Sequence, residues 1–185
     1  MLRTRVGYAG GKKDKPTYYD LGAHTEALQI EFDPKVISFQ KLLDVFWGSH
    51  DECGRVWSTQ YKAVLWTHGE AQAKIARESA AKQAKARGKA LTTEVVKAPT
   101  FWIAEDYHQK YNVRRYKGLL DAVLGETYSE KDLRESTAVA RVNGWVSGYG
   151  KKDEILAEVQ RLKFSDAARK ELKNVLGRRA PALVR

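Results

Sequence analysis

The stretch Pro16-Thr17-Tyr18-Tyr19-Asp20-Leu21-Gly22-Ala23-His24-Thr25-Glu26-Ala27-Leu28-Gln29-Ile30-Glu31-Phe32 changes character halfway along. Its first half is polar and turn-forming. From Thr25 onward apolar and polar residues alternate, the period of a strand with one face against a core. Leu28, Ile30 and Phe32 share that face, and Glu26 falls on the same parity. A carboxylate on the apolar side of a strand is costly to bury unless it is paired or protonated. Burial on that face would disfavour its charged form. The plain alternative is a strand-end glutamate that turns out into solvent.

Upstream, Leu2 to Tyr8 alternates in the same way and is followed by the turn-rich connector Gly10 to Pro16. Downstream, Asp33-Pro34 reads as an N-cap with proline in the first turn. It opens a helix whose apolar positions Val36, Phe39, Leu43 and Phe46 step by three or four, closing at Trp47 to Asp51. Gln60 to Trp66 reads as a strand with Tyr61, Ala63 and Leu65 on one face. A helix rich in Ala, Lys and Gln is expected from about Glu70 to Arg87, stopping at Gly88. Leu91 to Lys97 reads as a strand closed by Pro99, and Trp102 to Tyr111 as a helix. Beyond Tyr128 the chain turns to short helices, at 132–143, 152–162 and 165–176, with Gly144, Gly148 and Gly150 between the first two. The expectation is an α+β core over residues 1–127 and a helical extension over 128–185.

With 185 residues, 43% of them apolar, the chain can bury a core and is not disordered in general. The 33 Lys and Arg against 23 Asp and Glu leave a net charge of +10. The excess lies on helical stretches, among them Lys74, Arg77, Lys82, Lys85 and Lys89, and on the end from Lys170 to Arg185. No RNA-binding, zinc-finger or helix-turn-helix pattern accompanies it. The charge therefore reads as solvated helix faces rather than a nucleic-acid footprint. No apolar run approaches the ~18 residues of a membrane span. The single cysteine, Cys53, cannot form an internal disulfide and suits a reducing, cytoplasmic setting. No His, Cys and carboxylate grouping has zinc spacing and no glycine-rich phosphate loop occurs, so no bound metal or cofactor is expected.

Five blocks, TRVGYAGG, PTYYDLGAHTEALQIEFDP, ISFQKLLDVFWGSHD, TQYKAVLW and AEDYHQKY, follow one another from Thr4 to Tyr111. In that order and spacing the chain resembles the type A peptide methionine sulfoxide reductases. The resemblance implies a ferredoxin-like, two-layer α+β core. It also implies the chemistry: a thiolate attacks the sulfoxide sulfur of peptide-bound or free methionine-(S)-sulfoxide while an acid protonates the oxygen. The resulting sulfenic acid is discharged by a resolving thiol and then by thioredoxin, an external reductant linked to NADPH. Matched position by position, the proton donor falls on Glu26, and the donors to the sulfoxide oxygen on Tyr18 and Tyr61. Phenols suit that task because they hydrogen-bond a developing charge without ionising. Tyr19, beside Tyr18, leaves an ambiguity of register. Asp51 matches a helix-end acid that arranges the site, and His24 a residue lining the substrate entrance. Cys53, two residues after Asp51, is a possible redox thiol, with a bystander role as its alternative.

The family's nucleophile lies in a Gly-Cys-Phe-Trp-Gly motif ahead of the TRVGYAGG block, and this sequence contains no such motif. The expected core therefore lacks its first strand and helix, and neighbouring strands are left with unpaired backbone groups. The expectation is a native polypeptide that extends upstream, for instance through a selenocysteine read as a stop. The alternative is a catalytically inactive relative that acts as a binding module.

Overall fold

The computed structural model describes residues 2–177 and divides into two compact units, one of Val6–Glu105 and one from Asp106 onward that includes Leu2–Arg5. The end of the basic run noted above, residues 178–185, lies outside the described residues.

In the first unit, β1 (Arg3–Ala9) is the middle strand of a three-stranded sheet, flanked by β2 (Thr25–Glu31) and β5 (Phe101–Ile103). β1 and β5 pair antiparallel with Gly7 opposite Ile103 and Tyr8 opposite Trp102, and the ladder continues where the Ala104 amide donates to the Val6 carbonyl at 3.1 Å. Gly7 is obligatory in this register, since a Cβ there would lie 2.2 Å from the Trp102 carbonyl oxygen. A separate parallel pair joins β3 (Val64–Thr67) to β4 (Glu94–Lys97), and α2 (Gly69–Arg87) is the crossover that parallel strands require. Its end is set by Gly88, which adopts φ +66° at the C-cap. α1 (Phe39–Trp47) packs on α2, burying Leu43 and Trp47, whose indole donates to the Ser79 hydroxyl at 2.8 Å.

Several local readings are corrected. The Asp33-Pro34 pair does not open α1. Asp33 instead closes its own turn, accepting from the Lys35 amide at 2.8 Å, and the helix starts after Ser38, whose hydroxyl accepts from the Lys41 amide at 3.2 Å. The strand expected from Gln60 begins only at Val64, because 58–61 forms a turn in which the Tyr61 amide donates to the Ser58 carbonyl at 3.2 Å. The helix expected over 102–111 is instead β5 followed by a 3-10 turn at Asp106–His108. Phe101, Trp102 and Ile103 are β-formers, and the open side of β1 takes them.

The second unit is helical: α3 (Lys117–Leu124), α4 (Glu130–Glu135), α5 (Thr137–Val146), α6 (Lys152–Arg161) and α7 (Asp166–Gly177) enclose a core that includes Val113, Leu119, Leu133, Val139 and Trp145. The single helix expected over 132–143 is cut by Ser136, which ends α4 and caps α5 by accepting from the Val139 amide at 3.1 Å. Glu135 collects Arg5 at 2.8 Å, Arg134 at 3.1 Å and Arg3 at 3.2 Å. The Arg5 hydrogen bonds foremost, against partial burial, bring its pKa down to about 2. Lys110, buried beside them, donates to the carbonyls of Thr4 and Arg134, and burial lowers its pKa to about 8.

Candidate active site

β2 fixes Glu26 at its first turn outward. The Glu26 amide donates to the Gln60 carbonyl at 2.9 Å and the Thr25 hydroxyl to the Thr59 carbonyl at 2.8 Å, so the 58–61 turn is fastened to the start of the strand. That fastening carries two side chains to the carboxylate. The Gln60 amide donates to Glu26 Oε1 at 2.8 Å and to the Tyr61 hydroxyl at 3.0 Å. Tyr61 is in turn hydrogen-bonded to Tyr18 through their side chains. Glu26, Gln60, Tyr61 and Tyr18 thus form one connected cluster on a single face. Of the two adjacent phenols it is Tyr18 that takes part; Tyr19 is 90% exposed and only meets the Tyr18 ring edge-on.

The parity of β2 is as expected, but the burial is not. β2 is an outer strand of its sheet, and Leu28 and Ile30 on the Glu26 side remain 58% and 37% exposed. Glu26 itself is exposed, so the desolvation expected for it is absent from this surface. What surrounds the carboxylate instead is a hydrogen-bonding amide and two phenols. Partial desolvation of its hydroxyl, the Glu26 charge and the Tyr18 contact all hold the Tyr61 pKa above the ordinary phenol value. Tyr61 therefore stays a proton-bearing donor throughout the neutral range.

The remaining candidates lie elsewhere. His24 was expected at an entrance, yet it is buried, with Nδ1 accepting from the Gly11 amide at 3.1 Å and Nε2 donating to the Lys13 carbonyl at 2.8 Å. It clasps the Gly10–Pro16 connector to the start of β2, and both ring nitrogens are engaged by backbone. Asp51 caps its own turn, accepting from the Cys53 amide at 3.1 Å. Among the described residues no hydrogen bond joins it to the cluster. Cys53 is half-buried in that turn. The Arg87 guanidinium lies within electrostatic reach of it. Arg87 is, however, engaged by buried Glu52 through two hydrogen bonds of 2.7 and 3.0 Å, a bidentate pair that lowers the Glu52 pKa. No three His, Cys, Asp or Glu side chains among the described residues converge as metal ligands.

Two contributors were not read from the sequence. Gln60 was taken as part of a strand, which hid its bridging amide. Glu105, in the AEDYHQKY block, accepts from the Tyr8 hydroxyl at 2.7 Å and from the Tyr18 amide at 2.9 Å. Its position in that block was the available signal.

The described site is thus an exposed carboxylate, a bridging amide and two phenols on the strand and turns of a mixed α+β scaffold. The profile of the peptide methionine sulfoxide reductases fits residues 1–138, and that of the helical domain of selenoprotein methionine sulfoxide reductase A fits residues 128–176. The chain belongs to the peptide methionine sulfoxide reductase family. It is 38% identical to a peptide methionine sulfoxide reductase of Drosophila melanogaster over 91% of this chain and 68% of that one. It is also 38% identical to peptide methionine sulfoxide reductase A5 of Oryza sativa subsp. japonica, over 80% of this chain and 59% of the relative. Methionine sulfoxide reductase A of Corynebacterium diphtheriae shares the fold with a TM-score of 0.52 and 33% identity, covering 60% of this chain and 62% of that structure. The chain thus spans between about three-fifths and two-thirds of these relatives.

Proposed function

We propose that the cluster of Glu26, Tyr18 and Tyr61 binds the oxygen of methionine-(S)-sulfoxide and protonates it during reduction to methionine, with thioredoxin as the external reductant in the cytoplasm. The observation that carries this reading is the hydrogen-bonded line Glu26–Gln60–Tyr61–Tyr18, which sets one proton source and two phenol donors on a single accessible face. A sulfoxide oxygen is a strong acceptor and becomes more basic as the sulfur is attacked, so donors placed around it act most strongly as the reaction proceeds. In the step itself a thiolate, the sulfoxide and one proton from the Glu26 carboxyl give a sulfenic acid, a thioether and the Glu26 carboxylate. The oxygen passes to the attacking atom as its bond to the methionine sulfur breaks, and Glu26 supplies the proton it gains. Methionine sulfoxide exists as two epimers reduced by different enzymes, so selectivity for one is expected.

We assign the attacking sulfur or selenium to a residue other than Cys53, whose turn is not hydrogen-bonded to the cluster. The fit of residues 128–176 to a helical domain named for a selenoprotein supports selenium as a candidate. We keep residues 1–127 as the reductase core and 128–185 as its extension. The alternative, a binding module without turnover, is favoured by the open exposure of Leu28 and Ile30 beside Glu26.

The test uses protein purified from its native source, with N-acetylmethionine sulfoxide, thioredoxin, thioredoxin reductase and NADPH. The S epimer is consumed and the R epimer is not. Glu26→Gln lowers turnover roughly 100-fold or more, the usual contribution of general acid catalysis. Cys53→Ser leaves turnover in place. An S epimer that binds without being consumed, or a Glu26→Gln protein as active as wild type, overturns the enzymatic reading.

A further inference from the structure

We propose that Glu105 is a positioning residue of this site, acting through Tyr18. Tyr18 belongs to a loop between β1 and β2 in which Thr17 and Asp20 exchange a pair of hydrogen bonds at 3.2 and 3.0 Å, and these leave the Tyr18 amide outside the bridge. Glu105 takes up that amide with Oε1 at 2.9 Å. Its other oxygen accepts from the Tyr8 hydroxyl at 2.7 Å, and Tyr8 is 2% exposed in the central strand β1. Glu105 follows β5 by two residues, and Ala104 between them is still tied to Val6 at 3.1 Å. The carboxylate is thus anchored at one end by a buried side chain of the central strand and holds a loop residue with the other.

Both bonds are made to a carboxylate, so each exceeds a neutral hydrogen bond in strength. The consequence for the site is geometric. Holding the Tyr18 backbone sets where its hydroxyl can meet Tyr61, and the contact between them is one of the causes that keep the Tyr61 phenol above its ordinary pKa. The Glu105 hydrogen bonds that reach the site go to the Tyr18 amide and, at the other oxygen, to Tyr8. On this proposal the effect of Glu105 on the cluster runs through the Tyr18 amide, which non-additivity with Tyr18→Phe separates from a general structural role.

The experiment is a phenol titration by ultraviolet difference spectroscopy and NMR on the full chain, with Glu105→Ala, Glu105→Gln and Tyr18→Phe made singly and in pairs. Glu105→Ala lowers the Tyr61 titration midpoint, and Tyr18→Phe does the same. Adding Glu105→Ala to Tyr18→Phe lowers it no further, as non-additivity requires of residues acting in series. Glu105→Gln, whose carbonyl still accepts from the Tyr18 amide, returns the midpoint toward wild type. An unmoved midpoint in Glu105→Ala, or an equal shift in the Tyr18→Phe background, overturns the proposal. If Glu105→Ala does not fold, hydrogen exchange of the Tyr18 amide in Glu105→Gln decides. Exchange about tenfold faster follows from a neutral acceptor replacing a charged one, and wild-type exchange overturns the proposal.

The consequence for catalysis rests on the function proposed above and is read separately. In the active enzyme Glu105→Ala lowers kcat roughly 10- to 100-fold with KM little changed, the effect of a misplaced donor. A shifted titration with unchanged kcat keeps the positioning role and overturns the reductase reading of Tyr18.

Discussion

The Gln60 amide nitrogen stands 2.8 Å from Glu26 Oε1 and 3.0 Å from the Tyr61 hydroxyl, so one side chain joins the site's carboxylate to its phenol. The two neighbours act on Tyr61 in opposite senses. The amide stabilises a phenolate, whereas the Glu26 charge disfavours it. Gln60→Ala is therefore expected to raise the Tyr61 titration midpoint, and Glu26→Gln to lower it. Tyrosine titration followed by NMR of the two variants checks the signs. Shifts in the same direction would remove the bridge from the account.

β1 and β2 were legible in the sequence, and Glu26, Tyr18 and Tyr61 were named by the resemblance; β5, the bridging Gln60 and the exposure of the cluster were not. Alternation from Thr25 marked β2 and placed Glu26, Leu28 and Ile30 together, because side-chain parity is a local property of extended backbone. Whether that face is covered depends on what packs there, which periodicity does not encode. Hence Glu26 was expected to be desolvated and is exposed. The region of Trp102 failed for a related reason, since its pairing with β1 is made to residues more than ninety positions away. Ser136 was missed for a different reason. Its capping role is local chemistry, yet one helix was expected over 132–143, because a serine inside a helical pattern marks a cap only when the backbone there turns extended.

Gly7 is expected to tolerate no side chain. The atom a Cβ would strike first is the Trp102 backbone carbonyl oxygen at 2.2 Å, and the Phe101 ring stands at 2.6 Å. A carbonyl within a strand ladder cannot turn away as a flexible side chain can. Gly7→Ala should destabilise the chain by about 1–3 kcal/mol, the usual cost of overpacking. Urea denaturation at constant m-value checks it, and a wild-type midpoint would mean that β1 and β5 separate more easily than their register implies.

Acid should weaken the helical unit through Glu135. Its folded pKa is about 2 against an ordinary 4.5, so the folded state favours the charged form. The stabilisation is complete above pH 4.5 and is lost as pH falls toward 2. The shift corresponds to about 3 kcal/mol at most. Glu135→Gln should be less stable than wild type at neutral pH, and the difference should shrink on acidification through that window. Thermal unfolding of both proteins across the range measures it, and a constant gap would assign the carboxylate no such role.

Lys110 should act at the alkaline end, where stability again rises with pH, but because burial disfavours its charged form rather than because ion pairs favour it. Burial lowers its folded pKa to about 8 from 10.5, with Glu135 opposing the change and Arg5 and Arg134 adding to it. Below pH 8 the ammonium is present in both folded and unfolded states and its burial is a constant cost. Between pH 8 and 10.5 the unfolded chain binds the proton and the folded chain does not, so stability rises with pH there. The group's hydrogen bonds to the carbonyls of Thr4 and Arg134 survive in part, because a neutral amine still donates. Lys110→Met removes the titration and leaves both carbonyls to find other donors. Its stability should therefore lack the rise that wild type shows between pH 8 and 10.5, and unfolding free energies at intervals through that window measure the difference in slope. Parallel curves for the two proteins would show that this amine keeps its ordinary affinity for the proton inside the fold.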